Sequence, residues 1–133
     1  MTAFRLSVIY DTFGFVKPVR SLQVREYVDR TGVSSFRNWL DSLDMTTKAR
    51  IQARILRIES GNLGDHKSVG RGVGELRIDF GPGYRVYFGK DGATLILLLT
   101  GGHKGSQGRD IKRAQALWSE YLKGKGGISG QKK

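Results

Sequence analysis

Leu76-Arg-Ile-Asp-Phe-Gly-Pro-Gly-Tyr-Arg-Val-Tyr-Phe88 is the stretch that decides the fold. Leu76, Ile78 and Phe80 alternate with Arg77 and Asp79. After Gly81-Pro82-Gly83, Tyr84, Val86 and Phe88 alternate with Arg85 and Tyr87. Period-two alternation on both sides of a glycine–proline–glycine turn predicts a β-hairpin. Pairing across that turn sets 80 opposite 84, 78 opposite 86 and 76 opposite 88, so every apolar member shares the core face. The other face then carries Arg77 opposite Tyr87, and Asp79 opposite Arg85 as a cross-strand ion pair.

Downstream, Lys90-Asp91-Gly92 makes a second turn, and Ala93–Thr100 is an almost unbroken apolar run that suits an interior strand ending at Gly101-Gly102. A last helix over about 107–122 carries Ile111, Ala114, Trp118 and Tyr121 on one face. Upstream, Ser34 or Ser35 caps a helix with Phe36, Trp39, Leu40 and Leu43 at helical spacing. Thr46 or Thr47 starts a second helix bearing Ile51, Ile55 and Ile58, which ends at Gly61. The short link predicts an antiparallel helical hairpin. Ser21–Asp29 reads as a short strand. Within 1–20, Phe4, Leu6, Val8 and Tyr10 alternate before Gly14 and Pro18 interrupt.

These elements predict an α+β domain: a small antiparallel sheet with an N-terminal helical hairpin and a C-terminal helix. It spans residues 21–123, with 1–20 as an N-terminal extension and 124–133 as a basic flexible tail. A chain of 133 residues suits one domain. The absence of cysteine excludes disulfides, a thiol nucleophile and cysteine-ligated metals, and only His66 and His103 remain as imidazole ligands. No metal or cofactor is expected. The longest apolar run, Leu95–Leu99, is far short of the roughly 18 residues of a membrane helix. Asp11 and Lys17 break up any signal-peptide pattern. The expectation is a cytoplasmic protein with no membrane partner.

Lys plus Arg number 23 against 12 acids, a net charge of +11. That balance favours a polyanionic partner, either nucleic acid or an acidic protein. Arg50, Arg54 and Arg57 form a stripe beside the isoleucines, read as a solvated face or as the dock for an acidic partner. Gly70-Arg71-Gly72-Val73-Gly74 lacks dinucleotide-loop spacing, and no phosphate-binding loop or nucleophile elbow occurs. A polar sheet face remains. Arg77, Arg85 and Tyr87 project from the hairpin, His103 and Lys104 follow the central strand, and Lys67 and Arg71 lie in its approach. Guanidinium groups that hold phosphates beside a ring that stacks on a base suit single-stranded RNA. The same groups suit metal-free RNA cleavage, in which a base activates the 2′-hydroxyl, Arg stabilises the phosphorane and an acid protonates the leaving 5′-oxygen.

Four segments together resemble the RelE/ParE toxin superfamily. They are Gly61-Asn-Leu-Gly-Asp-His-Lys67, the run Val73–Phe88, Leu97-Leu-Leu-Thr-Gly-Gly-His-Lys104, and Arg109-Asp-Ile-Lys-Arg-Ala114. The nearest group is the phage-derived "addiction module killer" proteins, also described as HigB-like, and the resemblance covers about residues 21–123. It implies a type II toxin held by a cognate antitoxin, usually with a helix-turn-helix domain. RelE-like members are endoribonucleases that cleave mRNA in the ribosomal A site without a metal, whereas ParE-like members poison DNA gyrase. Arg85 matches the family's arginine after the hairpin turn, Arg77 falls near one of its two strand lysines, and Lys104 near its basic residue after the last strand. Asp79 stands where the second lysine belongs, and Asp110 near the position of a C-terminal-helix tyrosine. The resemblance therefore implies Arg77, Arg85 and Lys104 as catalytic residues; His103, at the end of the last strand, is our own further candidate for the acid or base. Lys67, Arg71, Tyr87 and Arg109 complete the RNA-binding set, and Arg50, Arg54 and Arg57 face the antitoxin. A third expectation is a non-toxic relative that only binds its antitoxin.

Overall fold

The computed structural model describes residues 8–10, 16–18 and 22–132, with side chains from 22 to 125. Val8–Tyr10 (β1) and Val16–Pro18 (β2) pair antiparallel as a separate two-stranded sheet. Phe4 and Leu6 lie outside the described residues. The main domain is α+β. Its strands are Gln23–Glu26 (β3), His66–Ser68 (β4), Val73–Ile78 (β5), Tyr84–Asp91 (β6) and Leu95–His103 (β7), in the order β3-β7-β6-β5-β4. Helices Ser35–Asp41 (α1) and Met45–Glu59 (α2) precede β4, and Gln107–Lys132 (α3) follows β7.

The sheet is mixed rather than wholly antiparallel. β4 to β7 pair antiparallel, but β3 runs parallel to β7. The chain leaves β3 through two helices, and such a crossover lets it rejoin the sheet in either sense. α1 begins where expected, with the Ser34 hydroxyl accepting from Arg37 N at 3.0 Å. α2 starts earlier than expected, because Asp44 rather than a threonine is its cap and accepts from Thr47 N at 3.2 Å. α3 does not stop near 122; its backbone stays helical through Gly124 to Lys132. Two bonds fasten it to the β6–β7 turn. The Tyr121 hydroxyl donates to Asp91 Oδ2 at 2.5 Å and Lys125 Nζ to Oδ1 at 2.6 Å.

Two cores lie on opposite faces of the sheet. Leu76, Ile78, Val86, Phe88, Ile96 and Leu98 meet Phe36, Leu40, Ile51 and Ile58 from α1 and α2. Val73, Tyr87, Leu97 and Leu99 meet Ala114, Leu117 and Trp118 from α3. The face expected to be polar and open is thus largely covered by a helix. Among the described residues, no helix is long and apolar enough to cross a membrane.

The hairpin forms with every apolar residue on the predicted face, but its register differs by two. Ile78 pairs with Tyr84, Leu76 with Val86, and Gly74 with Phe88. Asp79 and Phe80 leave the strand for the turn, closed by Phe80 O accepting from Gly83 N at 3.0 Å. An even shift preserves the faces and changes the partners. Arg77 therefore faces Arg85, and Glu75 faces Tyr87.

Candidate functional site

β5, β6 and the start of α3 build the site. Alternation puts Val73, Glu75 and Arg77 on the α3 face of β5, and Arg85 and Tyr87 on that face of β6. Arg77 and Arg85 stand directly opposite each other. Like charges so placed repel, and Glu75 offsets them. Its side chain is 0% exposed, with Oε1 3.5 Å from Arg77 Nε and 3.8 Å from Arg85 Nε. Oε2 accepts from Tyr87 OH at 3.1 Å and from Gln107 Nε2 at 2.7 Å. Two guanidiniums share one buried carboxylate, which leaves one positive charge in excess among these three side chains. Arg85 is nearly buried, while the Arg77 side chain is 39% exposed.

A β-bulge lets α3 approach this cluster. Tyr87 pairs with Thr100 and Phe88 with Leu98, so Leu99 is the extra residue and the facing of β7 reverses beyond it. Gly101 then lies beneath Trp39 on the α1 side, and Gly102 beneath Asp110 on the α3 side. A Cβ at either position would collide with those side chains. Gly102 pairs with Arg85, which seats the start of α3 over the arginines. Asp110 is held there by the Ser106 hydroxyl, which donates to its Oδ2.

Lys104 joins this end of the site. Its N–H donates to Gly83 O at 3.0 Å. A Cβ on Gly83 would lie 3.5 Å from Arg85 Nη1 and 3.8 Å from Lys104 Cβ, so the two basic residues flank the turn. His103 is exposed, and its Nδ1 accepts from Gly105 N at 3.0 Å. With Nδ1 accepting, the neutral ring carries its proton on Nε2. By register His103 pairs with Tyr84, whose ring packs near Trp39 and Phe80 on the other side of the sheet.

Several expected roles need correction. Tyr87 is no stacking platform: its side chain is 0% exposed beneath α3 and donates to Glu75. Burial first, and then the Glu75 charge, pushes its phenol well above the ordinary tyrosine range. The expected Arg85–Asp79 ion pair does not form, because Asp79 lies outside the strand and Glu75 supplies the carboxylate. The arginine stripe of α2 splits into three environments. Arg50 lies over the Phe80 ring, its Cζ 4.1 Å from the centroid, and Arg57 is exposed. Arg54 is buried at 6% exposure and donates to Asp65 O at 3.0 Å, so it braces the α2–β4 connection instead of facing a partner.

Lys67 pairs with Glu75 on the edge strand β4 and is exposed beside the cluster. Arg71 occupies the β4–β5 turn with φ 55°, and Arg109 is exposed in the first turn of α3. Glu75, Gln107, Ser106 and Asp110 were not anticipated as site residues. The period-two spacing of Glu75 with Val73 and Arg77 was the one available signal, since it puts an acid between the two basic rows. Among the described residues, no group of three or more His, Cys, Asp or Glu side chains forms that could hold a metal ion. A cleft of about 1130 Å³ between Tyr27–Arg30 and α3 contains none of the predicted site residues.

No family model matches the chain. An uncharacterized protein of Haemophilus influenzae is 49% identical to it over 87 residues, which is 65% of this chain and 88% of that protein.

Proposed function

We propose that this chain, which belongs to the same family as that Haemophilus influenzae protein, is a RelE/ParE-like toxin that inhibits translation by ribosome-dependent mRNA cleavage. On this reading α1 and α2 are the helical hairpin of that fold, and the protein works in the cytoplasm. A cognate antitoxin with a helix-turn-helix domain neutralises it. The observation that carries the reading is Arg77 directly opposite Arg85, with Lys104 across the Gly83 turn. Paired guanidiniums bind a phosphodiester through several donors and stabilise charge developing on its oxygens.

In the proposed reaction the 2′-hydroxyl passes its proton to water and its oxygen attacks the adjacent phosphorus. The bond to the 5′-oxygen breaks, and that oxygen takes up a proton. The products are a 2′,3′-cyclic phosphate and a 5′-hydroxyl. On this reading Arg77 and Arg85 hold the phosphate, and Lys104 donates the proton. A second reading, ParE-like inhibition of gyrase without catalysis, draws on the placement of His103 beside Tyr84, away from the arginine face.

Inducing the protein without its antitoxin and mapping mRNA 5′ ends within minutes tests the first reading. New ends phased to the reading frame are expected. Growth arrest with broken chromosomes and no new ends points to gyrase instead.

A further inference from the structure

Glu75 is a fully buried acid that the cleavage chemistry above does not use. It is closed off from solvent, its side chain being 0% exposed. It does not make a compact salt bridge. Oε1 lies at ion-pair distance from the Nε of both arginines yet makes no hydrogen bond among the described residues, and neither Nε has such a partner. Its other oxygen is fixed by two donors from different elements, Tyr87 on β6 and Gln107 at the start of α3. A carboxylate anchored on one side and shared on the other acts as a spacer, drawing two repelling cations to a common point and limiting their separation. The Nε edges of the guanidiniums face this spacer.

We propose that Glu75 is a positioning residue that sets Arg77 and Arg85 as one clamp for a single RNA phosphodiester, and that Gln107 fixes Glu75 in turn. The proposal rests on the RNA-cleaving reading for its substrate. It differs in what it predicts, because positioning and charge act with opposite sign. Glu75→Gln removes one negative charge from beneath two arginines. Charge alone then tightens binding to a polyanion. Loss of the spacer lets the arginines separate and weakens binding.

The experiment compares the purified full-length protein with Glu75→Gln. It measures binding of a fluorescein-labelled, unstructured single-stranded RNA oligonucleotide by anisotropy, and cleavage on translating ribosomes. The expected result is binding weaker by about tenfold in Glu75→Gln despite the added positive charge, with a matching loss of cleavage. Because Glu75→Gln alters a buried site, Gln107→Ala is measured beside it, and both are checked by thermal unfolding. Gln107 is only partly buried, and its variant is expected to weaken binding in the same direction by a smaller factor. If the wild type binds RNA and cleaves none, while both variants bind more weakly, the clamp stands and the cleavage reading fails. Binding by a folded Glu75→Gln protein that equals or exceeds wild type overturns the clamp, as does a folded Gln107→Ala protein that matches wild type. A wild type that neither binds the RNA nor cleaves overturns it as well.

Discussion

The Asp110 carboxylate rests directly on the backbone of Gly102, in space that a Cβ at 102 would occupy. This contact carries the start of α3 onto β7 opposite Arg85. The bulge at Leu99 makes it possible by turning Gly102, and not Gly101, toward α3.

Gly102→Ala is therefore expected to destabilise the protein by about 1–3 kcal/mol, the usual cost of overpacking a close contact. Gly108→Ala is the matched control. It lies in α3, where a Cβ meets nothing within 4 Å, and alanine there is expected to add about 0.5–1 kcal/mol. Denaturant unfolding of both variants measures the difference. Equal effects at the two positions would show that the Gly102–Asp110 contact does not constrain the fold.

Arg54 and Arg57 look equivalent in the sequence and are expected to behave differently. Arg54→Ala removes a buried guanidinium bonded to Asp65 O and is expected to cost about 1–3 kcal/mol. Arg57→Ala changes an exposed residue and should stay within about 0.5 kcal/mol. In the proposed complex with an acidic antitoxin, Arg57→Glu should weaken binding while leaving the melting temperature near wild type. If Arg54→Ala unfolds no more easily than Arg57→Ala, the bracing role is wrong.

The sequence declares some of these residues plainly and hides others. Leu76, Ile78, Val86 and Phe88 declared their face by alternation, and α3 declared itself by its apolar stripe. The hairpin register did not, because alternation fixes parity and cannot distinguish a shift of two. Arg54 was readable: 47, 51, 54 and 58 are spaced as one helical face, and all four are buried. Its charge disguises a spacing that belongs to the core face. Tyr87 shows the opposite limit. Its face was right, but nothing local announces that α3 will cover it. Glu75 and Gln107 are 32 residues apart and meet only through the tertiary fold. The Leu99 bulge, which decides what Gly101 and Gly102 face, leaves no mark in an apolar run.

If the proposed chemistry holds, Arg85→Ala should abolish growth arrest and lower cleavage by about a hundredfold, comparable to losing one stabilising donor at a reacting oxyanion. Antitoxin binding should persist, since Arg85 is nearly buried on the side of the sheet opposite α1 and α2. Pull-down of the antitoxin with the variant, alongside growth curves, separates the two effects. Undiminished toxicity would remove Arg85 from the mechanism, whatever the antitoxin does.

The tether of α3 to the β6–β7 turn should depend on pH at both extremes. Lys125 first, and then Tyr121, hold the Asp91 carboxyl below its ordinary range. A carboxylate with a lower pKa in the folded state contributes stability that is complete above its unfolded value of about 4, and this is lost as pH falls through the folded value. Tyr121 moves the other way, its hydroxyl pushed up to about 12 by donation to Asp91 and by burial. Its contribution is complete below the unfolded value of about 10 and is lost as pH rises through the folded one. Asp91→Asn should therefore melt below wild type near neutral pH, and the gap should close as pH falls below about 4, where the wild-type carboxylate protonates as well. Tyr121→Phe should show its deficit at neutral pH and lose it progressively as pH rises from about 10 to about 12, through the folded value. Melting temperatures of the three proteins across pH give the answer. A gap between Asp91→Asn and wild type that is the same in acid as at neutral pH would mean that the anchor acts through packing and not through charge.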